Sequence, residues 1–221
     1  MCGRFVLISD VDALQLAFNL TDIPQIMPSR FNIAPSQPVA VITNDAPQTL
    51  SLFRWGLIPF WAKDPGISAS LINARAETAA EKPAFRAAFK RRRCLVPTDG
   101  FFEWQKSDRG KVPLFIHLRD RRPFAFAGLW ETWYSPEGDE VRTCTILTTA
   151  ANSFMESIHN RMPAILPPEH YDTWLLPDEQ PASVLQPLLQ PYDPDQMAAY
   201  TVSSFVNNPR NDTPECIEPA V

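Results

Sequence analysis

Apolar residues along this chain fall into short runs punctuated by turn residues, and their spacing predicts the elements. Arg4 to Ile8 reads as a short strand, after which Ser9 or Asp10 can cap a helix whose Val11, Leu14, Ala17 and Phe18 share one face. A proline-rich, aperiodic stretch from Thr21 to Pro38 reads as an ordered loop, followed by a hairpin of Val39 to Thr43 and Thr49 to Trp55 around a turn at Asn44 to Pro47. After an irregular stretch from Gly56 to Ser68, the pattern predicts a helix over Glu81 to Arg92, with Pro83 in its first turn and Phe85, Ala88 and Phe89 inward.

The next hundred or so residues carry β-branched and aromatic runs at Cys94 to Pro97, Phe101 to Trp104, Val112 to Leu118, Phe124 to Trp133 and Val141 to Thr149. Helices are expected near Asn152 to Ile158, Pro168 to Leu175 and Ala182 to Leu189, and a late strand at Ala199 to Phe205. Clustered strands with a few interspersed helices, and no regular alternation of the two, point to an α+β fold with a curved or barrel-like, mostly antiparallel sheet core and flanking helices. No internal repeat or linker divides residues 1–221, so a single domain is expected, with 23 prolines stiffening its loops.

Composition narrows the function. No stretch approaches the roughly 18 apolar residues of a spanning helix and no secretory signal opens the chain, so a cytoplasmic protein without a membrane partner is expected, and a monomer. The cysteines at 2, 94, 144 and 216 are widely spaced and form no C-x-x-C pair, which favours reduced thiols, no metal and no cofactor. A formal charge of −5 argues against non-specific coating of nucleic acid. Locally, however, Lys90 to Arg93 form a basic run, read as a solvated helix end, and Arg4, Arg30, Arg54, Arg75, Arg86 and Arg161 could gather into one positive groove.

Reactive residues concentrate in four stretches: Met1-Cys2-Gly3-Arg4, Asn73-Ala74-Arg75, Gly100-Phe101-Phe102-Glu103-Trp104 and His159-Asn160-Arg161-Met162-Pro163. If Met1 is removed, Cys2 gains an α-amine with a reference pKa of about 7.7 to 8.0 beside a thiol near 8.5. Such a 1,2-aminothiol captures an aldehyde as an imine and then closes to a five-membered thiazolidine that resists reversal. A small buried apolar residue is the bland alternative for Cys2. Glu103 is either a buried proton donor or acceptor, or an outward strand residue. His159, bracketed by Asn160, Arg161 and Pro163, is a better proton shuttle candidate than His117 or His170. Asn73 and Arg75, two apart, share a face if extended. Trp55, Phe60 and Trp61, beside Gly56 and Pro59, either stack on an unpaired base or belong to the core.

Taken together these stretches resemble the SOS response-associated peptidases, also called abasic-site processing or SRAP-domain proteins. The resemblance spans essentially the whole chain and adds Asn32-Ile33-Ala34-Pro35, Trp55-Gly56-Leu57-Ile58-Pro59, Leu71 to Glu77 and Asn207-Asn208-Pro209-Arg210-Asn211. It implies that mature Cys2 forms a covalent crosslink to abasic sites in single-stranded DNA. It further implies that Glu103 is the acid/base residue, that Asn73 and His159 orient and protonate the opened sugar, and that Arg4, Arg75 and Arg161 lie near the phosphates. Thr148 corresponds to another polar site residue. Where some members carry two adjacent tryptophans this chain has Phe60-Trp61-Ala62, which assigns Trp61 a stacking role. The name implies release of Met1, either by the protein's own thiol autopeptidase or hydrolase activity (EC 3.4.-.-) or by a cellular aminopeptidase, and a lyase-type activity is a further expectation. Two other classes fit the inventory: an N-terminal-nucleophile hydrolase acting on amides without DNA, and a module that only grips single strands.

Overall fold

A computed structural model describes residues 2–24, 27–108 and 110–220. The first strand, β1 (Phe5–Leu7), is followed by α1 (Val11–Phe18), in which the Asp10 carboxylate accepts the Ala13 N–H at 2.8 Å and Asn19 ends the helix at a φ of 52°. Asp10, rather than Ser9, is therefore the cap, and Leu14 and Phe18 are the buried stripe. Strands β2 (Arg30–Ile33), β3 (Pro38–Thr43), β4 (Ala46–Trp55) and β5 (Asn73–Arg75) precede α2 (Ala76–Ala79) and α3 (Arg86–Arg91). Then come β6 (Arg93–Thr98), β7 (Gly100–Ser107), β8 (Gly110–Leu118), β9 (Phe124–Tyr134) and β10 (Glu140–Ala150). The chain ends with β11 (Arg161–Pro163), β12 (Ile165–Leu166), short helical turns, and β13 (Met197–Thr201).

Five strands close on themselves. The antiparallel pairs β4–β3, β3–β6, β6–β9 and β9–β10 are joined by a parallel contact of β10 with β4, Thr143 opposite Arg54 and Cys144 opposite Trp55. The result is a small mixed barrel whose interior side chains fill it. Every residue of β6 is buried, because one face looks into the barrel and the other is covered from outside. A second sheet, in the order β13-β8-β7-β1-β2, packs beside it. Gly100, which opens β7, permits the close approach of β8 within that sheet: a Cβ there would lie 2.5 Å from the Phe115 ring and 2.6 Å from the Ile116 carbonyl oxygen. The α+β expectation and its barrel-like core are both met.

Several boundaries differ from the sequence pattern, each for a local reason. The expected loop from Thr21 to Pro38 contains β2, which shows little alternation because its pairing with β1 and the Asp212 carboxylate, accepting from the Phe31 and Asn32 N–H groups, hold it extended. The helix expected over Glu81 to Arg92 is cut to α3, since Pro83 offers no N–H and the chain before it only turns. Asn152 to Ile158 forms turns rather than a helix, with the Asn152 side chain accepting the Met155 N–H at 2.9 Å. The expected late strand at Ala199 to Phe205 lies at Met197–Thr201.

The basic run from Lys90 to Arg93 is a solvated helix end only at Lys90 and Arg91, which are exposed in the last turn of α3. Lys90 and Arg91 pair with Glu179 and Arg92 with the buried Glu131, while Arg93 is wholly buried. The Arg93 guanidinium donates to the carbonyls of Phe89, Lys90, Trp174, Leu176 and Asp178, stitching the C-terminal end of α3 to the chain after Trp174. Losing it orphans several buried acceptors, so Arg93→Met is expected to lower the unfolding free energy by about 3 kcal/mol, read from the midpoint shift in urea denaturation.

Candidate functional site

Cys2 is fixed by what its neighbours pair with. Strand β1 runs antiparallel to β7, Phe5 opposite Phe101, and the Phe102 N–H donates to the Arg4 carbonyl at 3.0 Å. Continuing that register sets Glu103 opposite Gly3, next to the chain's start. The Cys2 side chain is fully buried, its Sγ is 3.8 Å from the Arg4 carbonyl oxygen, and its own carbonyl accepts the Asn73 Nδ2–H at 2.8 Å. Burial first, and the nearby Glu103 charge second, push the Cys2 thiol well above the usual thiol range. Of the two readings of Glu103, the buried one holds, at 4% exposure. The expected removal of Met1 concerns a residue outside the described ones.

Asn73 arrives through β5, which pairs parallel to β10 with Asn73 opposite Ile146 and Arg75 opposite Thr148. Two residues on, β10 turns its other edge to β11, Ala150 opposite Arg161. The Asn73 Oδ1 is buried and has no hydrogen-bond partner among the described residues, so the amide's donor end is committed to Cys2 while its acceptor end is not. Arg161 grips Glu77 with both terminal nitrogens, at 2.5 and 2.9 Å, and also donates to the Thr148 carbonyl at 2.6 Å and hydroxyl at 3.2 Å. This bidentate pair holds the Glu77 carboxyl below the usual carboxylate range. Thr148 is fully buried behind it. His159 precedes β11, and its Nδ1 lies 3.0 Å from the Arg161 backbone nitrogen and 3.2 Å from the Arg161 carbonyl oxygen, contacts that fix the ring's orientation. The loop carrying His159 is tied to the Glu103 strand by the Gln105 amide, which donates to the Ser157 carbonyl at 2.8 Å.

Trp61 and Phe60 project from the loop after Gly56, whose φ of 123° favours glycine, and are 50% and 59% exposed. Their loop is pinned below: the Trp133 indole donates to the Ala62 carbonyl at 2.7 Å, Ala62 N–H to the Pro59 carbonyl at 2.8 Å, and Ile58 N–H to the Thr143 hydroxyl at 2.9 Å. An open groove of about 420 Å³ runs along it, lined by Trp61, Asn73, Arg75, Lys82 and Phe85 among others. Trp55, by contrast, is core, its indole donating to the Ile72 carbonyl at 2.8 Å.

The structure thus brings Cys2, Asn73 and Glu103 together and sets Trp61 and Arg75 on the groove that reaches Asn73. The arginines do not pool into one positive surface, because Arg30 pairs with Asp212 and Arg161 with Glu77. Arg4 spends its guanidinium on the Asn32 Oδ1 at 2.8 Å and the carbonyls of Val206 and Asn207 at 2.9 and 3.1 Å. Sequence reasoning singled out neither Glu77 nor Asn32 as a site residue, although both lie inside motifs it quoted; Asp212, in the polar tail, carried no signal at all. Among the described residues no three His, Cys, Asp or Glu side chains cluster as a metal site requires. Because the Glu103 charge opposes ionisation of Cys2, Glu103→Gln is expected to speed alkylation of Cys2 by iodoacetamide at pH 8, measured by peptide mass spectrometry.

Comparison with known proteins agrees with this arrangement. The family model described as SOS response associated peptidase (SRAP) matches residues 1–209. The abasic site processing protein YoqW of Bacillus subtilis (strain 168) is 49% identical, with 99% of each chain covered. The abasic site processing protein HMCES of Gallus gallus is 37% identical over 75% of this chain and 56% of its own. A crystal structure of a protein from Bacteroides thetaiotaomicron superposes with a TM-score of 0.88 at 30% identity over the whole of both chains. With the match running from residue 1 through β13 and the site residues all inside it, the chain belongs to the SOS response associated peptidase (SRAP) family.

Proposed function

We propose that this protein captures the aldehyde of abasic sites in single-stranded DNA, forming a covalent thiazolidine through Cys2 once Met1 has gone. The observation that carries the reading is the convergence on Cys2: Asn73 holds its carbonyl and the buried Glu103 acts on its thiol electrostatically. The names of the relatives, abasic site processing proteins, support the substrate.

The freed α-amine adds to C1′ of the ring-opened sugar, and the carbinolamine loses water to give an imine. The thiolate then bonds to the imine carbon, and the nitrogen takes up a proton as the ring closes. Because the Cys2 thiol is held neutral by burial, a base must receive its proton in the last step, and Glu103 is the carboxylate in place to do so. The uncommitted Asn73 Oδ1 accepts from the amine or a sugar hydroxyl. His159, its ring oriented through Nδ1, hands a proton to the opened sugar.

Preference for single strands rests on the exposed Trp61 and Phe60, whose faces offer a stacking platform for an unpaired base, while Arg75 and Lys82 supply charge for the backbone along the same groove. Arg161, clamped by Glu77, and Arg4, held by Asn32, position the floor of the site and lie near the phosphates. The protein acts as a cytoplasmic monomer, and the same thiol releases Met1. A lyase-type outcome is the alternative fate of the imine.

The test is an intact-mass measurement. Purified protein lacking Met1 is expected to gain the mass of an abasic oligonucleotide less one water, in an adduct that survives a denaturing gel. Cys2→Ala should form none, and an equal adduct from it would overturn the reading. Glu103→Gln should slow adduct formation by roughly 10²-fold or more. Trp61→Ala should weaken single-strand binding by about 1–3 kcal/mol, read by fluorescence anisotropy.

A further inference from the structure

We infer that Asp212 and Asn32, neither of which takes part in the proposed chemistry, are positioning residues for Cys2: together they fasten the segment around Asp212 to the strand that follows Cys2 and so hold the nucleophile in place. The inference rests on the proposed role of Cys2, and Asp212 lies beyond residue 209, where the family match stops.

The path is continuous. The Asp212 carboxylate faces three donors, with Oδ1 accepting the Phe31 and Asn32 N–H groups at 2.5 and 2.9 Å and Oδ2 accepting Arg30 Nε–H at 2.5 Å. This fixes β2 where it meets β1. Asn32 is wholly buried, and its Nδ2 donors point among the carbonyls of Val206, Asn208 and Asn211, the last at 2.7 Å. Its Oδ1 receives Arg4 Nη1–H at 2.8 Å, and Arg4 also reaches the Val206 and Asn207 carbonyls. The Arg4 backbone carbonyl, two residues from the nucleophile, is the one that meets both the Phe102 N–H and the Cys2 Sγ. A parallel tie comes from Trp104, next to Glu103, whose indole donates to Asn207 Oδ1 at 2.7 Å and whose ring lies under the Arg4 guanidinium at 5.8 Å.

A buried amide with both ends satisfied is a discriminating fastener: it holds one geometry, and losing any partner leaves another group exposed to the low-dielectric interior. The segment from Ser203 to Cys216 has only two single helical turns of its own, Ser204–Asn207 and Pro214–Cys216, with Val206 and Cys216 packed against Val6, Phe102 and Phe115. Its apolar contacts glue it to the sheet, and its polar contacts set where Arg4 sits. Cys2 has no regular strand around it to do that work, because β1 begins only at Phe5.

Small displacements of a reacting group cost rate far more than they cost binding. Asp212→Ala is therefore expected to slow adduct formation at saturating abasic DNA, where any loss of affinity is removed from the reading, by about ten-fold or more. Asp212→Asn, which keeps the Oδ1 acceptor for the two N–H groups, should recover most of the rate. Tyr200→Phe, which cuts the Tyr200 hydroxyl bond to the Ile217 carbonyl on the same strap without touching this path, is the stability control. Hydrogen exchange at the Phe102 amide, which should quicken in Asp212→Ala, reads the position of Arg4 without any DNA. Wild-type rate in Asp212→Ala, or a loss matched by Tyr200→Phe at equal thermal stability, would overturn the inference. If Asp212→Ala does not fold, Arg30→Gln reads the same path, and an unchanged rate and unchanged Phe102 exchange there would overturn it equally. Should wild-type protein form no adduct, the proposed function fails, while the exchange measurement still decides the positioning role.

Discussion

Strand β10 carries more of this molecule than any other element. Its first half pairs with β9, its other edge meets β4 and then β5 in parallel, and its last three residues pair with β11. One eleven-residue segment thereby closes the barrel and delivers Asn73, Arg75 and Arg161 to one region. The pairing with β5 is decisive, because a three-residue strand set immediately before α2 is too short to hold itself extended. All seven residues from Thr143 to Thr149 are buried, as a strand paired on both edges and covered on both faces must be.

The consequence for the site is that its groups hang from two different supports. Asn73, Arg75 and Arg161 belong to the barrel, whereas Cys2, Arg4 and Glu103 belong to the second sheet, through β1 and β7. The hydrogen bond from Asn73 to the Cys2 carbonyl and the one from Gln105 to the Ser157 carbonyl cross between them. A site placed at such a seam is sensitive to how the two layers sit.

How much of this was legible in the sequence follows from the reach of each signal. The five long core strands were found because β-branched and aromatic runs mark them directly, and the mixed closure of the barrel was not, because nothing in β4 or β10 announces a parallel neighbour. Strand β2 was read as a loop and Ser203 to Phe205 as the end of a strand, since the order of both segments comes from Asp212 and Asn32 reaching across about 180 residues. The burial of Arg93 was missed for a related reason: a guanidinium beside three other cations looks solvated until the carbonyls of Trp174, Leu176 and Asp178 arrive from elsewhere. Cys2, Asn73 and Glu103 were readable as a set only through their motifs, and the pinned aromatic loop only as aromatics beside glycine and proline.

The full burial of Cys2 has a chemical corollary. Oxidation of a cysteine begins with its thiolate and needs access, and this thiol has neither at rest, so peroxide finds little to attack and the slide toward sulfenic and sulfinic acid is slow. The fold that surrounds this thiol thus also shields it in its reduced form.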